Sequence, residues 1–314
     1  MITRGDIDRA WERISGHVRI TPTLNLEQSA FDGRLQSPTT LKLELTQVAG
    51  SFKPRGAFNS ILSQLDRAKE AGVIAASGGN HGIATAYAAR QLGLRAEIFV
   101  PVISSPVKQR RLRDLGAVLN VVGDNYYGAL AACIERQKQT GALDVHAYNK
   151  PETLAGQGTC GRELNWQEPG LDTVLVATGG GGFIAGIAAW YAGSARVISV
   201  EPESSHCLAA AMRAGHPVDV SVGGVAADSL GATRIGELSW EICKRHVERA
   251  VTVTDAAIVE TQRLVWQHLR MIAEPGGATA LAALLSGVYK PLPTERVGVF
   301  MCGGNADLSV LIQP

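Results

Sequence analysis

The stretch "VLVATGGGGFIAGIAAWY", residues 174–191, decides the fold. A short apolar run gives way to Gly179, Gly180, Gly181 and Gly182, and then to a segment rich in small helix-forming residues. Strand, turn and helix is the parse that suits this order. Bare backbone lets successive N–H groups converge on an anion, and the start of the following helix adds partial positive charge. Such a turn suits a phosphate. A tight strand-to-helix turn, for which one or two glycines would do, is the plainer alternative. The stretch lacks the lysine of a GxxxxGK[ST] loop and makes a poor dinucleotide fingerprint, whose ribose-binding acid would have Glu201 as its nearest counterpart. No residue from Thr173 to Ala195 is charged, yet the central glycines and the strand end "SVEPE" (199–203) argue for a buried strand, loop and helix rather than a membrane span.

The same grammar recurs outward in both directions. Apolar runs at 40–46 ("TLKLELT"), 73–77, 96–100, 118–122, 197–201 and 297–302 ("VGVFMC") alternate with alanine-rich helical segments such as 82–92, 106–115, 125–138 and 256–272. Runs without polar alternation indicate strands covered on both faces, hence an α/β fold, two-lobed, with largely parallel sheets flanked by helices. Residues 1–46 and 147–314 are assigned to a large domain with most of the candidate site, and 47–146 to a small domain. Three strand ends run straight into glycine: "ASGGNHG", "ATGGGGF" and "MCGGNAD". Ligands of open α/β sheets collect at such carboxyl ends, so these three ends are expected to share one pocket.

Bulk properties narrow the function classes. Thirty basic and 29 acidic side chains are well mixed over 314 residues, giving a net charge of +1. Without a basic stripe or acidic tail, neither nucleic acid nor an anionic membrane is expected as a partner. The five cysteines are odd in number, widely spaced and form no CxxC pair, which suits a reducing compartment and disfavours a disulfide framework or structural zinc. The amino-terminal "MITRGDIDRAWERI" carries no apolar signal core. A cytoplasmic protein is expected.

A second glycine turn, "ASGGNHGIATAYAA" (76–89), opens a helix whose free N–H groups suit a carboxylate, with Asn80 offering both a donor and an acceptor. His81 alone reads more readily as a capping or packing residue, and Cys302 alone as a buried structural thiol. Residues 50–59, "GSFKPRGAFN", place Lys53 between an aromatic and a proline, in a stretch with almost no acid to pair with it. A surface charge and a nucleophilic amine are the two readings of such a lysine. Taken together, a phosphate cup, a carboxylate cup and a lysine, without an aspartate or metal cluster, are the inventory for pyridoxal 5'-phosphate acting on an amino acid. The cofactor brings a phosphate and an aldehyde, and lysine the amine that joins it as a Schiff base.

The chain resembles the serine/threonine dehydratases among the tryptophan-synthase-β-like (fold type II) pyridoxal-phosphate enzymes. The likeness runs through "ITPTLNLEQSA", "KLELTQVAGSFKPRGAFNS", "ASGGNHGIATAYAA", "AGQGT", "GGGGFIAGI", "EPGGA" and "CGGNAD" in the family's order. It implies that Lys53 is the Schiff-base lysine, Phe52 packs beside the ring, Asn80 bonds its phenolic oxygen and Cys302 faces its nitrogen. It further implies that Gly179, Gly180, Gly181 and Gly182 hold the phosphate, and that Ser77, Gly78, Gly79, Asn80 and His81 hold the substrate carboxylate. Glu274 would lie beside the pocket, and Gly224 where a backbone carbonyl approaches the substrate. A homodimer is implied as well.

Two departures sharpen the expected reaction. Racemases of this family carry a serine where this chain has Gly78, which has no proton to give. Elimination from a β-hydroxy L-amino acid such as threonine or serine, giving a 2-keto acid and ammonia, is therefore favoured over racemisation. Ammonia-lyase action on phenylserine, hydroxyaspartate or a diamino acid, or an amino-acid-binding module without turnover, are the other readings. Metal-activated relatives carry an acid six residues after the glutamate of their "EP" strand end; here Cys207 follows Glu201 at that spacing, and no essential divalent metal is expected. With the chain ending at Pro314, feedback by an appended regulatory domain is not expected either.

Overall fold

The computed structural model describes residues 1–306, so Asp307, the last residue of the "CGGNAD" motif, lies outside the described residues. Among the described residues ten strands form two sheets. In chain order they are β1 (Thr23–Leu26), β2 (Thr39–Lys42), β3 (Val73–Ala76), β4 (Ala96–Val100), β5 (Val118–Val121), β6 (Leu143–Asp144), β7 (Thr173–Ala177), β8 (Arg196–Pro202), β9 (Arg249–Val253) and β10 (Val297–Phe300). The larger sheet has the order β1-β2-β10-β7-β8-β9 and the smaller β5-β4-β3-β6. Among these strands β1 pairs antiparallel with β2, and the other strand pairings are parallel. The α/β architecture with largely parallel sheets stands as read.

Burial explains the strand choice. Strands β2, β4, β7 and β10 are buried along their whole length, as suits strands that helices cover on both faces; the charges this buries, Lys42 in β2 and Glu97 in β4, are each ion-paired. The expected strand over 40–46 stops at Lys42, because Leu43 breaks from extended geometry and Glu44–Thr46 coil into a 3-10 turn that buries Glu44. Three further strands escaped the sequence reading. β6 has two residues, while β1 and β9 are edge strands with mixed burial and weak alternation.

Helices join the strands in crossover fashion. The helix after the glycine tetrad, Gly182–Tyr191, packs against Pro151–Gln167 so closely that Gly158 and Gly186 meet backbone to backbone, which any side chain would prevent. Thr3 caps the first helix, Arg4–Ile14, in a reciprocal capping box with Asp6. Among the described residues no helix is long and apolar enough to cross a membrane.

The topology positions the site. From β7 the chain moves outward to β8 on one side, while β10 and β2 fill the other. From β3 it moves to β4, while β6 returns on the opposite flank. Each sheet therefore has a reversal of strand order, beside β7 in one and β3 in the other, and crevices open at the carboxyl ends of strands at such points. The glycine tetrad follows β7, Cys302 follows β10, and Ser77 to His81 follow β3.

Candidate active site

The lysine segment is stitched to the end of β10. Ser51 bridges Gly303, and the Phe52 N–H donates to the Cys302 carbonyl at 3.1 Å. Lys53 opens the helix Lys53–Leu62, with Pro54 just inside it, where a missing N–H does no harm. The Lys53 amine points into the crevice, 4.9 Å from the Phe52 ring centre and 3.5 Å from the Ala147 carbonyl, the long end of a hydrogen bond. Burial pulls its pKa down to about 8, while Cys302 and Glu274 oppose the shift. The amine is thus largely desolvated and held by no ion pair among the described residues, as a lysine used for its lone pair requires.

Four consecutive glycines are needed because neighbours press on each. A Cβ on Gly179 would meet the Leu230 backbone, and one on Gly180 or Gly182 would run into Tyr148. Gly181, the helix N-cap, has φ +91°, in the left-handed region. Gly236 N–H anchors the Gly180 carbonyl, and the Cys207 thiol donates to the Gly179 carbonyl at 3.2 Å. No acceptor among the described residues takes the N–H of Gly179, Gly180 or Gly181, and no side chain caps the helix. These are donors at a helix N-terminus aimed at an anion that the protein itself does not provide.

Asn80 opens the helix Asn80–Gln91 and reaches across the crevice: its Nδ2 donates to Glu274 Oε1 at 2.5 Å. Burial lifts the Glu274 carboxyl to about 7, against the Asn80 hydrogen bond and the charges of Lys53 and Lys108; Asp228 adds to the rise. Cys302 is buried, its thiol on the Gly276 carbonyl at 3.3 Å, and desolvation drives its pKa far above the ordinary thiol value. Phe52 stacks on Phe183 at 3.9 Å and lines the crevice beside Lys53.

The sequence-read residues do not all arrive in the same wall. Phe52, Lys53, Asn80, Gly179 to Gly182, Glu274 and Cys302 line one crevice. Ser77, Gly78 and Gly79 form the turn at its rim, where Gly79 faces the Asp228 carbonyl and Gly78 faces Ser104 and Val100. His81 turns inward: its Nε2 bonds the Val145 carbonyl at 2.6 Å, and burial with the nearby Lys53 charge pushes its pKa to about 3, so it is neutral. Gly224, with φ +76°, lies against Ser204 and Asp255 and is not part of the crevice wall. Ser229 and Tyr148, which the sequence did not single out, are. The signal for Tyr148 was faint: one aromatic following the short strand β6. Glu201 has both oxygens occupied by the Leu208 and Ala209 N–H groups at 2.8 and 2.7 Å. Among the described residues no group of three or more His, Cys, Asp or Glu side chains is placed to hold a metal ion.

This donor set fits pyridoxal phosphate. Unclaimed N–H groups at Gly179 to Gly181 suit its phosphate, Asn80 its ring oxygen, and the amine of Lys53 its aldehyde. Comparison with known proteins agrees. The family described as "pyridoxal-phosphate dependent enzyme" matches residues 14–303. The phenylserine dehydratase of Ralstonia pickettii is 36% identical over 298 residues, covering 94% of this chain and 90% of that one. The β-hydroxyaspartate dehydratase of Paracoccus denitrificans (strain Pd 1222) is 34% identical over 313 residues, covering 98% of each. The solved structure of maize serine racemase superposes with a TM-score of 0.92 at 32% identity, covering 98% of this chain and 95% of that one.

Proposed function

This chain belongs to the pyridoxal-phosphate dependent enzymes, and on that premise we propose that it is a lyase acting on a β-hydroxy L-amino acid, such as threonine, serine or a β-substituted relative, to give a 2-keto acid and ammonia. The observation that carries the reading is the Lys53 amine, with its lowered pKa, in one crevice with Asn80, Glu274 and the glycine tetrad.

In this reading the N–H groups of Gly179 to Gly182 would hold the cofactor's phosphate, Asn80 its ring oxygen, Cys302 its ring nitrogen and Phe52 the side of its ring. The turn from Ser77 to His81 receives the substrate carboxylate. When bound, the cofactor supplies an aldehyde for the substrate amine and a ring that accepts the electrons left at Cα. Lys53, as a neutral amine in the crevice, would take the Cα proton. Cys302 keeps its own proton on the Gly276 carbonyl and would not protonate a ring nitrogen set against it, which would favour prompt loss of the β-hydroxyl. Gly78 supplies no acid to the opposite face of Cα, which disfavours inversion. Residues 47–146, around the smaller sheet, are proposed as the closing lobe; Lys108 meets Asp228, and Tyr127 meets Thr233 at 2.9 Å, in contacts between the helices beside that sheet and the segment 227–236. A homodimer in the cytoplasm completes the proposal.

The test is a panel of serine, threonine, phenylserine, hydroxyaspartate and diaminopropionate, scored for keto acid and for the opposite enantiomer. Keto acid from at least one is expected. Keto acid from none, with Cα proton exchange and inversion intact, would give the site to a racemase.

A further inference from the structure

Asn80 is held by a chain of hydrogen bonds that begins on a charge outside the crevice. Arg111, on the helix Pro106–Asp114, donates from Nη1 to Asn305 Oδ1 at 2.7 Å and from Nη2 to the Ala49 carbonyl at 3.3 Å. Asn305 Nδ2 donates to Asn80 Oδ1 at 2.7 Å and to the Ala49 carbonyl at 2.9 Å. Asn80 Nδ2 then donates to Glu274. The backbone is shaped around this chain. Ala49, whose carbonyl takes two of the bonds, has φ +61°, which costs a non-glycine residue. Gly50, at φ +76°, leaves the room that the Asn305 amide fills.

An amide side chain has an accepting and a donating end, and a row of two can run in either direction. A guanidinium only donates. With Arg111 donating at its head and the Ala49 carbonyl accepting beside it, Asn305 must turn its oxygen outward and its nitrogen toward Asn80, and Asn80 must turn its oxygen to Asn305 and its nitrogen into the site. We propose that Arg111 is a positioning residue that sets the direction of this chain, keeping both N–H groups of Asn80 toward Glu274 and the cofactor. Reversed, the row would present the Asn80 oxygen to Glu274, which would then have to carry a proton. Glu274 sits close enough to neutrality for both states to be accessible: Lys53 and Lys108 favour its ionised form, while Asp228 and burial favour the neutral one, and the adjacent Cys302 thiol is uncharged. Arg111, working with the Ala49 carbonyl that both it and Asn305 donate to, tips the balance from outside the site. The inference rests on the reading above only in placing Asn80 against the cofactor.

The experiment uses holoenzyme reconstituted with pyridoxal phosphate. The cofactor's dissociation constant and the pH midpoint of its visible absorbance are measured for wild type, Arg111→Ala, Arg111→Lys and Asn305→Asp, with kcat and KM alongside. For Arg111→Ala, cofactor binding is expected to weaken roughly tenfold, with the midpoint moving up by roughly one pH unit, the size of one charge-assisted hydrogen bond. Turnover should fall in kcat more than in KM, and Arg111→Lys, which still donates, should recover most of the loss. Asn305→Asp is nearly isosteric and accepts at both oxygens, so it forces Asn80 to turn its nitrogen outward; it should move both readouts the same way with Arg111 intact, and it carries the test if Arg111→Ala does not fold. Unchanged cofactor affinity and midpoint in the folded variants would overturn the proposal. Wild type that makes no keto acid, with these shifts still present, would instead remove the proposed reaction and leave this inference standing.

Discussion

The guanidinium of Arg55 lies against the carboxylate of Glu44, with Nε and Nη2 at 2.8 and 2.7 Å from its two oxygens and both side chains wholly buried. The pair does not stand alone. Arg55 also meets Glu163 at 2.9 Å, and Glu163 meets the buried Lys42 at 2.5 Å, so two cations and two carboxylates balance in the core two residues along the helix from Lys53. Paired burial of this kind adds little net stability, but removing one partner strands a charge. Arg55→Met should cost about 3–5 kcal/mol, a large share of a domain's typical stability. Urea unfolding that places the variant within roughly 1 kcal/mol of wild type would contradict this.

Cofactor uptake by the apoprotein should follow the free-base form of Lys53. Its pKa of about 8, lowered from 10.5 chiefly by burial, means the uptake rate should rise through a midpoint near pH 8 and level off above it. The linkage has a matching sign. A lysine whose folded pKa is depressed binds fewer protons folded than unfolded between the two values, so its contribution to stability is present above 10.5 and lost as pH falls through about 8. Stopped-flow absorbance of apoprotein mixed with pyridoxal phosphate reads the midpoint. A rate still climbing at pH 10 would place the amine in water.

The glycine tetrad makes a sterically specific prediction. A Cβ on Gly180 would lie 2.5 Å from Tyr148 Cγ, well inside carbon–carbon contact distance. Gly180→Ala should therefore push Tyr148 and the turn apart, at a cost of roughly 1–3 kcal/mol, and weaken cofactor binding by roughly tenfold or more while far-ultraviolet dichroism stays native. Adding Tyr148→Ala removes the obstacle and should recover part of the affinity. A double variant no better than Gly180→Ala would show that the tetrad fails for another reason.

Much of this was legible in the sequence because it is local. A strand buried on both faces writes itself as a continuous apolar run, as at 173–177 and 297–300, and a strand end that meets a ligand writes itself in glycine. What stayed hidden is long-range. Lys42 and Glu163 stand 121 residues apart, and neither has a neighbour in sequence to announce the pair. Ser229 reaches the crevice on the short helix Ala227–Leu230 and Tyr148 on a loop, and the placement of both depends on the two reversals of strand order. Arg111 reads in sequence as one more charge in a basic helix, and only its contact with Asn305 distinguishes it.

Activity should be independent of divalent cations, for a reason visible at Glu201. Both of its oxygens accept backbone N–H groups from the helix Cys207–Ala214, and the Cys207 thiol is turned to the Gly179 carbonyl. Magnesium and calcium need several oxygen ligands, with calcium taking about 6–8. A cation at Glu201 would have to break the cap of that helix and would find a thiol where an oxygen is needed. Burial lifts the Glu201 carboxyl to about 8, so at neutral pH it also lacks the full charge that would draw a metal in. Holoenzyme treated with a chelator and returned to metal-free buffer should keep its turnover within about twofold, and its melting temperature should not rise with added magnesium. Loss of turnover on chelation, restored by magnesium alone, would mean that Glu201 gives up its helix cap to a cation.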